Sequence, residues 1–265
     1  MKILYLGDVM AEAGIKVVEE LLPCLRHQYA IDLVIAQAEN VTDGRGITRA
    51  DFKRLRTAGV DFCTGGNWTL NNTDIHDYLA DPQQPIIRPA NYPQGTAGKG
   101  YKYLETKHGK VLVVSLLGDI VGKDSDKPVD NALQVIDKIL DETEGDQRAA
   151  LVVNLHGDFS SQKVMIGYYL DGKASLVVGD HWHVPTADAM ILPQGTAHVT
   201  DVGMCGSLHS SLGVELDSVI PRWRDGRITR NMLSNKRPYQ LNGLLADIND
   251  DGLATSVLPI RQIID

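Results

Sequence analysis

Two histidines separated by one residue, His181 and His183, stand directly after the apolar run from Ala174 to Val178. The run predicts a buried strand that ends where the polar residues begin. In an extended chain successive side chains point to opposite faces, so Trp182 would face away while both imidazoles face one site. A purely structural pair is the alternative, but imidazoles at this spacing are typical ligands of transition metals.

Other metal-compatible side chains also follow predicted strands. Several short apolar runs end in a carboxylate, an amide or an imidazole. In open α/β sheets, ligands bind in the crevice outside the carboxyl ends of the strands, so residues distant in sequence can meet there. The sequence therefore predicts one cluster of oxygen and nitrogen donors, formed by Asp8, Glu39, Asn40, Asn67, His156, His181 and His183.

This donor set suits a pair of divalent transition metal ions. One shared carboxylate can hold two cations about 3.5–4 Å apart. Oxygen and imidazole ligands suit iron, manganese or zinc, and the absence of paired thiolates argues against a structural zinc. Taken singly, Asp8 could be a helix N-cap and His156 a hydrogen-bonded core residue. The repetition of such residues at strand ends favours a metal centre over these separate structural roles.

Strands and helices alternate along the part of the chain that carries the donors. This alternation predicts an α/β fold with a largely parallel, layered sheet. No linker, repeat or low-complexity segment interrupts the chain, so residues 1–265 are predicted to form a single domain. The segment from Arg237 onward lacks the alternation of strands and helices, and it is predicted to form two strands around the turn at residues 249–252. The predicted strands are 2–6, 33–36, 60–64, 111–117, 149–155, 176–178, 241–248 and 255–264, and the predicted helices are 15–29, 48–55, 131–143 and 162–170.

Composition excludes several classes of partner. The chain has 265 residues and a formal net charge of −8, which argues against duplex DNA or an anionic membrane because polyanions attract basic surfaces. The negative net charge does not exclude a small phosphate ester as a substrate, because bound metal cations can make the local electrostatic field positive. The sequence has three cysteines without a CxxC pair, and it shows neither a signal peptide nor an apolar stretch of about 18 residues. These features predict a cytoplasmic protein.

The donors lie in segments that together resemble a known family. A lone GD or GN carries no information, but the ordered set with its spacing is specific. Over nearly its whole length the chain resembles the calcineurin-type metallophosphoesterases, and within them the YmdB-like branch of bacterial cyclic-nucleotide phosphodiesterases. The segments are GDV (7–9), AEN (38–40), GN (66–67), RPANYPQGTAGKG (88–100), DGKASLVVGDHWHVPTAD (171–188) and ILPQGTAHVTDVGMCG (191–206).

The resemblance implies a fold, a cofactor and a reaction. The fold would be a sandwich of sheets flanked by helices, with the metal site at the C-terminal strand ends, and the protein would assemble into a homo-oligomer. Two divalent metal ions (Fe, Mn or Zn) would support hydrolysis of small phosphodiesters, such as 2′,3′-cyclic nucleotides, by a metal-activated hydroxide. One ion would be held by Asp8, Glu39, Asn40 and His183, and the other by Asn67, His156 and His181, with Glu39 bridging.

One departure from the family pattern affects catalysis. The family normally reads GNHTW where this chain has GNWTL at residues 66–70, so Trp68 replaces the histidine expected to assist the leaving oxygen. An indole N–H donates a hydrogen bond but is not an acid, and general acid–base catalysis contributes about 10²–10⁴-fold. We therefore expect weak or altered activity. His209 is a candidate replacement acid, with an exposed loop histidine as the alternative.

The sequence also shows a further departure from the family and basic residues that could contact a phosphate. Asp180 stands where the family tends to have threonine. Arg88 and Lys99 are candidate substrate contacts, as are Lys123 and Lys127. Because Trp68 could stack on a nucleobase, the alternative function is a metal- and nucleotide-binding regulator with little or no catalysis.

Overall fold

A computed structural model describes residues 1–122 and 128–265, and within these ranges the strands form two sheets that pack face to face. The strands are β1 (Lys2–Leu6), β2 (Asp8–Val9), β3 (Leu33–Gln37), β4 (Phe62–Thr64), β5 (Tyr101–Thr106), β6 (Gly109–Leu117), β7 (Ala150–His156), β8 (Leu176–Asp180), β9 (Met190–Ile191), β10 (Ala197–Val199), β11 (Met204–Ser207), β12 (Tyr239–Ile248) and β13 (Ala254–Ile264). The helices are α1 (Ala11–Tyr29), α2 (Arg49–Ala58), α3 (His76–Ala80), α4 (Ala132–Glu142), α5 (Ser160–Tyr169) and α6 (Leu216–Asp225), with a short 3₁₀ turn at Thr73–Ile75.

Each sheet has a parallel centre. In the first sheet the order is β2-β11-β12-β1-β3-β4, with β13 paired to β12, and β1, β3 and β4 run parallel. In the second the order is β5-β6-β7-β8-β10-β9, and β6, β7, β8 and β10 run parallel. Both parallel centres present their carboxyl ends at one edge of the sandwich, which is the geometry that gathers residues from many strands.

Alternation along the strands separates the layers of the core. In β1, Ile3 and Tyr5 pack between the sheets, whereas Leu4 and Leu6 pack against α1 and α2. On the outer face of the second sheet, residues such as Leu112 and Val114 pack against α4 and α5. Because side chains on a strand point alternately to opposite faces, a strand that is apolar throughout must be covered on both. The result is a helix–sheet–sheet–helix sandwich.

The structure confirms the predicted α/β sandwich and the C-terminal hairpin. β12 and β13 pair antiparallel over their length, and β12 inserts between β1 and β11, a placement that the sequence did not predict. Several elements were missed because they are short or lie in segments rich in glycine, proline or charge, namely β2, β5, β9, β10, β11, α3 and α6. Within the described part of the chain, no helix is both long and apolar enough to cross a membrane.

A buried ion pair fastens α5 to the loop that follows β10. Lys163 Nζ lies 2.8 Å from Asp201 Oδ2, and both side chains are fully buried. The Asp201 carboxylate also accepts the backbone N–H groups of Trp182 and Gly203, each at 2.9 Å. Burial raises the pKa of Asp201 to about 6, and the Lys163 ammonium opposes that rise. The pair therefore anchors the loop that carries His181 and His183.

Replacing Lys163 with methionine should cost about 3–5 kcal/mol of unfolding free energy at pH 8, because a buried carboxylate loses its countercharge. The pKa of Asp201 is higher in the folded than in the unfolded chain, so its contribution to stability is complete below the unfolded pKa and lost as pH rises through about 6. Without Lys163 that pKa should rise further, and the cost of the substitution should shrink between pH 8 and pH 5. Urea unfolding at pH 8 and at pH 5 measures the loss of unfolding free energy, and the exposed Lys138→Met serves as the control. An equal loss of unfolding free energy in Lys163→Met and Lys138→Met at pH 8 would contradict the anchoring role.

Candidate metal centre

The donors predicted from the sequence meet at the carboxyl edge of the two sheets. Those on the first sheet follow β1, β3 and β4, and those on the second end β7 or follow β8. They form one connected network of contacts, although 173 residues separate Asp8 from His181 along the chain. Five are buried, namely Asp8, Glu39, Asn40, Asn67 and His156, and two are half-buried, namely His181 and His183.

Three atoms that can accept a hydrogen bond surround one nitrogen of His156. Its Nε2 lies 3.1 Å from Glu39 Oε1, 3.0 Å from Asn67 Oδ1 and 2.8 Å from His181 Nδ1. The ligand atoms of Glu39, His156 and His181 all lie within 4.8 Å of one another. A proton on His156 Nε2 or a bound cation would satisfy this group of a carboxylate oxygen, an amide oxygen and an imidazole nitrogen.

A second group of donors adjoins the first. His183 Nε2 lies 3.2 Å from Asn40 Oδ1 and 3.7 Å from Asp8 Oδ1. The Asn40 amide donates to the carbonyl of Gly44 at 2.9 Å, which turns its oxygen toward His183. Asp8 Oδ2 accepts the backbone N–H of His181, whereas the buried Asp8 Oδ1 has no hydrogen-bond partner among the described residues. A cation at this oxygen would satisfy it.

The electrostatics of the cluster favour bound positive charge. Burial, with the nearby charge of Asp180, holds the pKa of Asp8 well above its usual value. Burial lowers the pKa of His156, but the carboxylates of Glu39 and Asp180 reverse the effect and raise it well above its usual value. Burial lowers the pKa of His181 and of His183 to about 4, so both imidazoles are neutral at pH 7 and keep a lone pair for a cation.

Each histidine is oriented by an acceptor on its outer nitrogen. His156 Nδ1 lies 2.7 Å from Asp180 Oδ1, and His181 Nε2 lies 3.3 Å from Asp158 Oδ1. His183 Nδ1 donates to the carbonyl of Leu212 at 3.2 Å. With one nitrogen of each ring occupied in this way, the other faces the cluster. This is the arrangement by which proteins fix the tautomer and direction of a metal-ligating imidazole.

Asp180 is the functional residue that sequence reasoning missed. Its carboxylate is fully buried and accepts from His156, from Tyr5 Oη at 2.9 Å, and from the amides of Gln37 and Asn154 at 3.2 Å each. Burial raises the pKa of Asp180, but the hydrogen bond from His156 and its charge hold it below the usual value. The signal for this role in the sequence was an aspartate at the end of a strand, immediately before the first histidine.

The two histidines of the loop face the cluster for a reason other than the predicted one. The strand ends at Asp180, and the backbone then turns, with φ of 105° at His181 and 62° at His183. Left-handed φ values in non-glycine residues cost about 1–3 kcal/mol each and concentrate at functional sites. Trp182 holds the turn in place, because its Nε1 donates to the carbonyl of Asp158 and its ring lies 4.1 Å from Lys163 Nζ.

The remaining predicted site residues have different environments. The Trp68 backbone N–H donates to Glu39 Oε2 at 2.9 Å, so this residue lies against the cluster. The Arg88 guanidinium donates to the carbonyls of residues 89, 90, 96 and 97, and these structural bonds occupy it. His209 and Lys99 are exposed, and no described side-chain contact joins either to the donors. Lys123 and Lys127 lie outside the described residues.

Comparison with known proteins gives consistent matches along the chain. A sequence model of the family described as YmdB-like protein matches residues 4–260. The chain is 34% identical over 250 residues to a 2′,3′-cyclic-nucleotide 2′-phosphodiesterase of Bacillus subtilis (strain 168), covering 94% of this chain and 92% of that protein. It resembles the crystal structure of a novel phosphatase from Mycoplasma pneumoniae with a TM-score of 0.91 at 28% identity, covering 99% of this chain and 93% of the other. A hypothetical protein from Thermus thermophilus matches with a TM-score of 0.89 at 35% identity, covering 99% of each chain.

Replacing Asp180 with asparagine should weaken the binding of Mn²⁺ by about 10–100-fold, because the oriented imidazole of His156 loses its charged partner. Tyr5→Phe is the matched control, since it removes one donor to the same carboxylate but leaves the Asp180–His156 bond. Isothermal titration with Mn²⁺ measures the affinities, and melting curves of the metal-free proteins separate folding from binding. Wild-type affinity in a folded Asp180→Asn protein would contradict the orienting role.

Proposed function

This chain belongs to the YmdB-like protein family, and on that premise we propose that it is a dinuclear metal-dependent phosphodiesterase. Its substrates would be small phosphodiesters such as 2′,3′-cyclic nucleotides, the class named for the relative from Bacillus subtilis. The observation that carries the proposal is the convergence of acceptor atoms around His156. Beside it, Asp8 Oδ1 lies 3.7 Å from His183 Nε2 and has no hydrogen-bond partner in the described part of the chain. Homo-oligomeric assembly and a cytoplasmic location stay predictions.

The geometry supports a division of the donors into two sets. Asn67, His156 and His181 would hold one cation, since their ligand atoms surround the same space. Asp8, Asn40 and His183 would hold the other. Glu39 would be shared, because its carboxylate contacts His156 and its charge acts on both His181 and His183. All these ligands suit iron, manganese or zinc.

When bound, the two cations would supply Lewis acidity, which neutralises the phosphoryl oxygens and makes a water more acidic. The residues of the chain fix where that chemistry takes place. Asp180, Asp158 and the Leu212 carbonyl hold the three imidazoles in place, so little reorganisation is needed during the reaction. The indole of Trp68 cannot protonate the departing sugar oxygen, and we expect turnover to be slow for that reason.

A second candidate function is a metal- and nucleotide-binding regulator with little catalysis. The observation that favours it is Trp68, which stands next to the proposed metal ligand Asn67 in place of an acid. The two functions share the metal centre and differ in turnover.

The function is tested by turnover of the metal-loaded protein. Purified protein supplied with Mn²⁺ or Fe²⁺ should hydrolyse a 2′,3′-cyclic nucleotide or an aryl phosphodiester, measured as product release. Glu39→Gln, which keeps the shape of the side chain but removes its charge, should be at least about 100-fold slower, because shared charge stabilisation of the cations is lost. No turnover above this variant, with metal shown to be bound, would exclude the enzyme and favour the regulator.

The division into two sets is tested by counting bound metal. His183→Ala should lose the cation assigned to Asp8 and Asn40, and His156→Ala the cation assigned to Asn67 and His181. Glu39→Ala should impair both, because two cations without a shared carboxylate repel each other at close range. Elemental analysis after dialysis gives the count. Two metals retained in Glu39→Ala would rule out its bridging role.

A further inference from the structure

A small cavity opens beside the metal donors. Its volume is about 200 Å³, and it is lined by Asn67, Trp68, Leu70, Asn71 and Tyr92. Asn67 is at once a wall of this cavity and a neighbour of His156, with its Oδ1 3.0 Å from His156 Nε2. The cavity therefore adjoins the proposed metal centre through Asn67.

The side chains around the cavity suit a neutral, planar ring. Each of the five lining residues is uncharged, and two of them are aromatic. The Arg45 guanidinium lies 4.5 Å from the centre of the Trp68 ring, so an exposed cation adjoins the aromatic wall. Ligand pockets for drug-sized molecules measure roughly 300–1,000 Å³, so this smaller volume suits a fragment such as one heteroaromatic ring system. A second phosphate would find no countercharge among the lining residues.

Hydrogen bonds tie the backbone of Trp68 and the side chain of Tyr92 to the residues around the metal donors. The backbone N–H of Trp68 donates to Glu39 Oε2 at 2.9 Å. The hydroxyl of Tyr92 donates to the carbonyl of Gly66 at 3.2 Å. Gly66 in turn approaches the donors so closely that a Cβ there would collide with Glu39 Oε2 and the His156 ring. A ring bound in the cavity would thus lie next to segments that are themselves in contact with the donors.

We propose that this cavity binds the nucleobase of the substrate, with Trp68 as the residue on which the base stacks. The proposal rests on the phosphodiesterase function and adds a specificity for substrates that carry an aromatic base. In a cyclic nucleotide one sugar ring separates the base from the phosphate, which matches a cavity that begins next to the metal donors. The histidine expected at position 68 would assist the leaving oxygen. Trp68 gives up that role and instead recognises the base.

The test compares two five-membered cyclic phosphodiesters, 2′,3′-cyclic AMP, which carries a base, and glycerol 1,2-cyclic phosphate, which carries none. In Trp68→Leu the ratio of their kcat/KM values should fall by about 5–150-fold, the loss expected for one base–aromatic stack. Trp223→Leu is the matched control, because Trp223 is 83% exposed on α6 and does not line the cavity. An unchanged ratio in a folded, metal-loaded Trp68→Leu protein would overturn the subsite and leave the phosphodiesterase intact.

A second readout does not depend on turnover. Equilibrium dialysis of adenosine 3′-monophosphate against the metal-loaded proteins should show weaker binding in Trp68→Leu than in wild type and Trp223→Leu. If the wild type hydrolyses neither diester but binds this nucleotide through Trp68, the base subsite stands and the proposed enzyme activity fails. Equal binding by all three proteins would overturn the subsite whatever the activity.

Discussion

The structure depends on one electrostatic constraint, which is that several ionisable carboxylates are buried together at the edge of the sandwich. Asp8, Glu39 and Asp180 are almost completely buried, and the charges of Asp180 and Glu39 raise the pKa of Asp8 while His156 opposes that rise. Carboxylates removed from water are tolerated only where hydrogen bonds and positive charge compensate for lost hydration. The surrounding features supply that compensation, from the amides of Gln37 and Asn154 to the raised pKa of His156.

The two-sheet architecture makes this concentration of polar groups possible without sacrificing the core. The apolar residues of β1, β3, β6, β7 and β8 fill the layers between and outside the sheets, while the strand ends carry the polar groups. A single change of direction at the end of a strand is then enough to move a side chain from core to site. The turn at His181 and His183 is the clearest case, because its left-handed residues are held by Trp182 and by the Lys163–Asp201 pair.

Much of this arrangement could be predicted from the sequence, because it follows from the order of apolar runs and the polar residues that end them. The parallel strands and the identity of the clustered donors follow from that pattern, whereas a sandwich of sheets was implied only by the family resemblance. The antiparallel insertion of β12 beside β1 could not be predicted, since register between distant strands depends on packing that the pattern does not encode.

The role of Asp180 was missed for a related reason. It depends on the atoms that the Asp180 carboxylate contacts, and those atoms come from three other strands. Arg88 shows the converse, because its charge gave no information on whether backbone carbonyls occupy its guanidinium.

The position of Glu39 has a consequence for how the proposed centre would respond to different ions. One of its oxygens lies 3.1 Å from His156 Nε2, and the other accepts the backbone N–H of Trp68. Many metal-bound carboxylates change between one-oxygen and two-oxygen coordination as an ion or substrate demands. Here such a rotation would break the bond to residue 68 or draw that segment along with it. The spacing between two ions at the proposed centre would therefore be set by the polypeptide, and a cation of unsuitable radius would have to distort the backbone rather than its own coordination sphere.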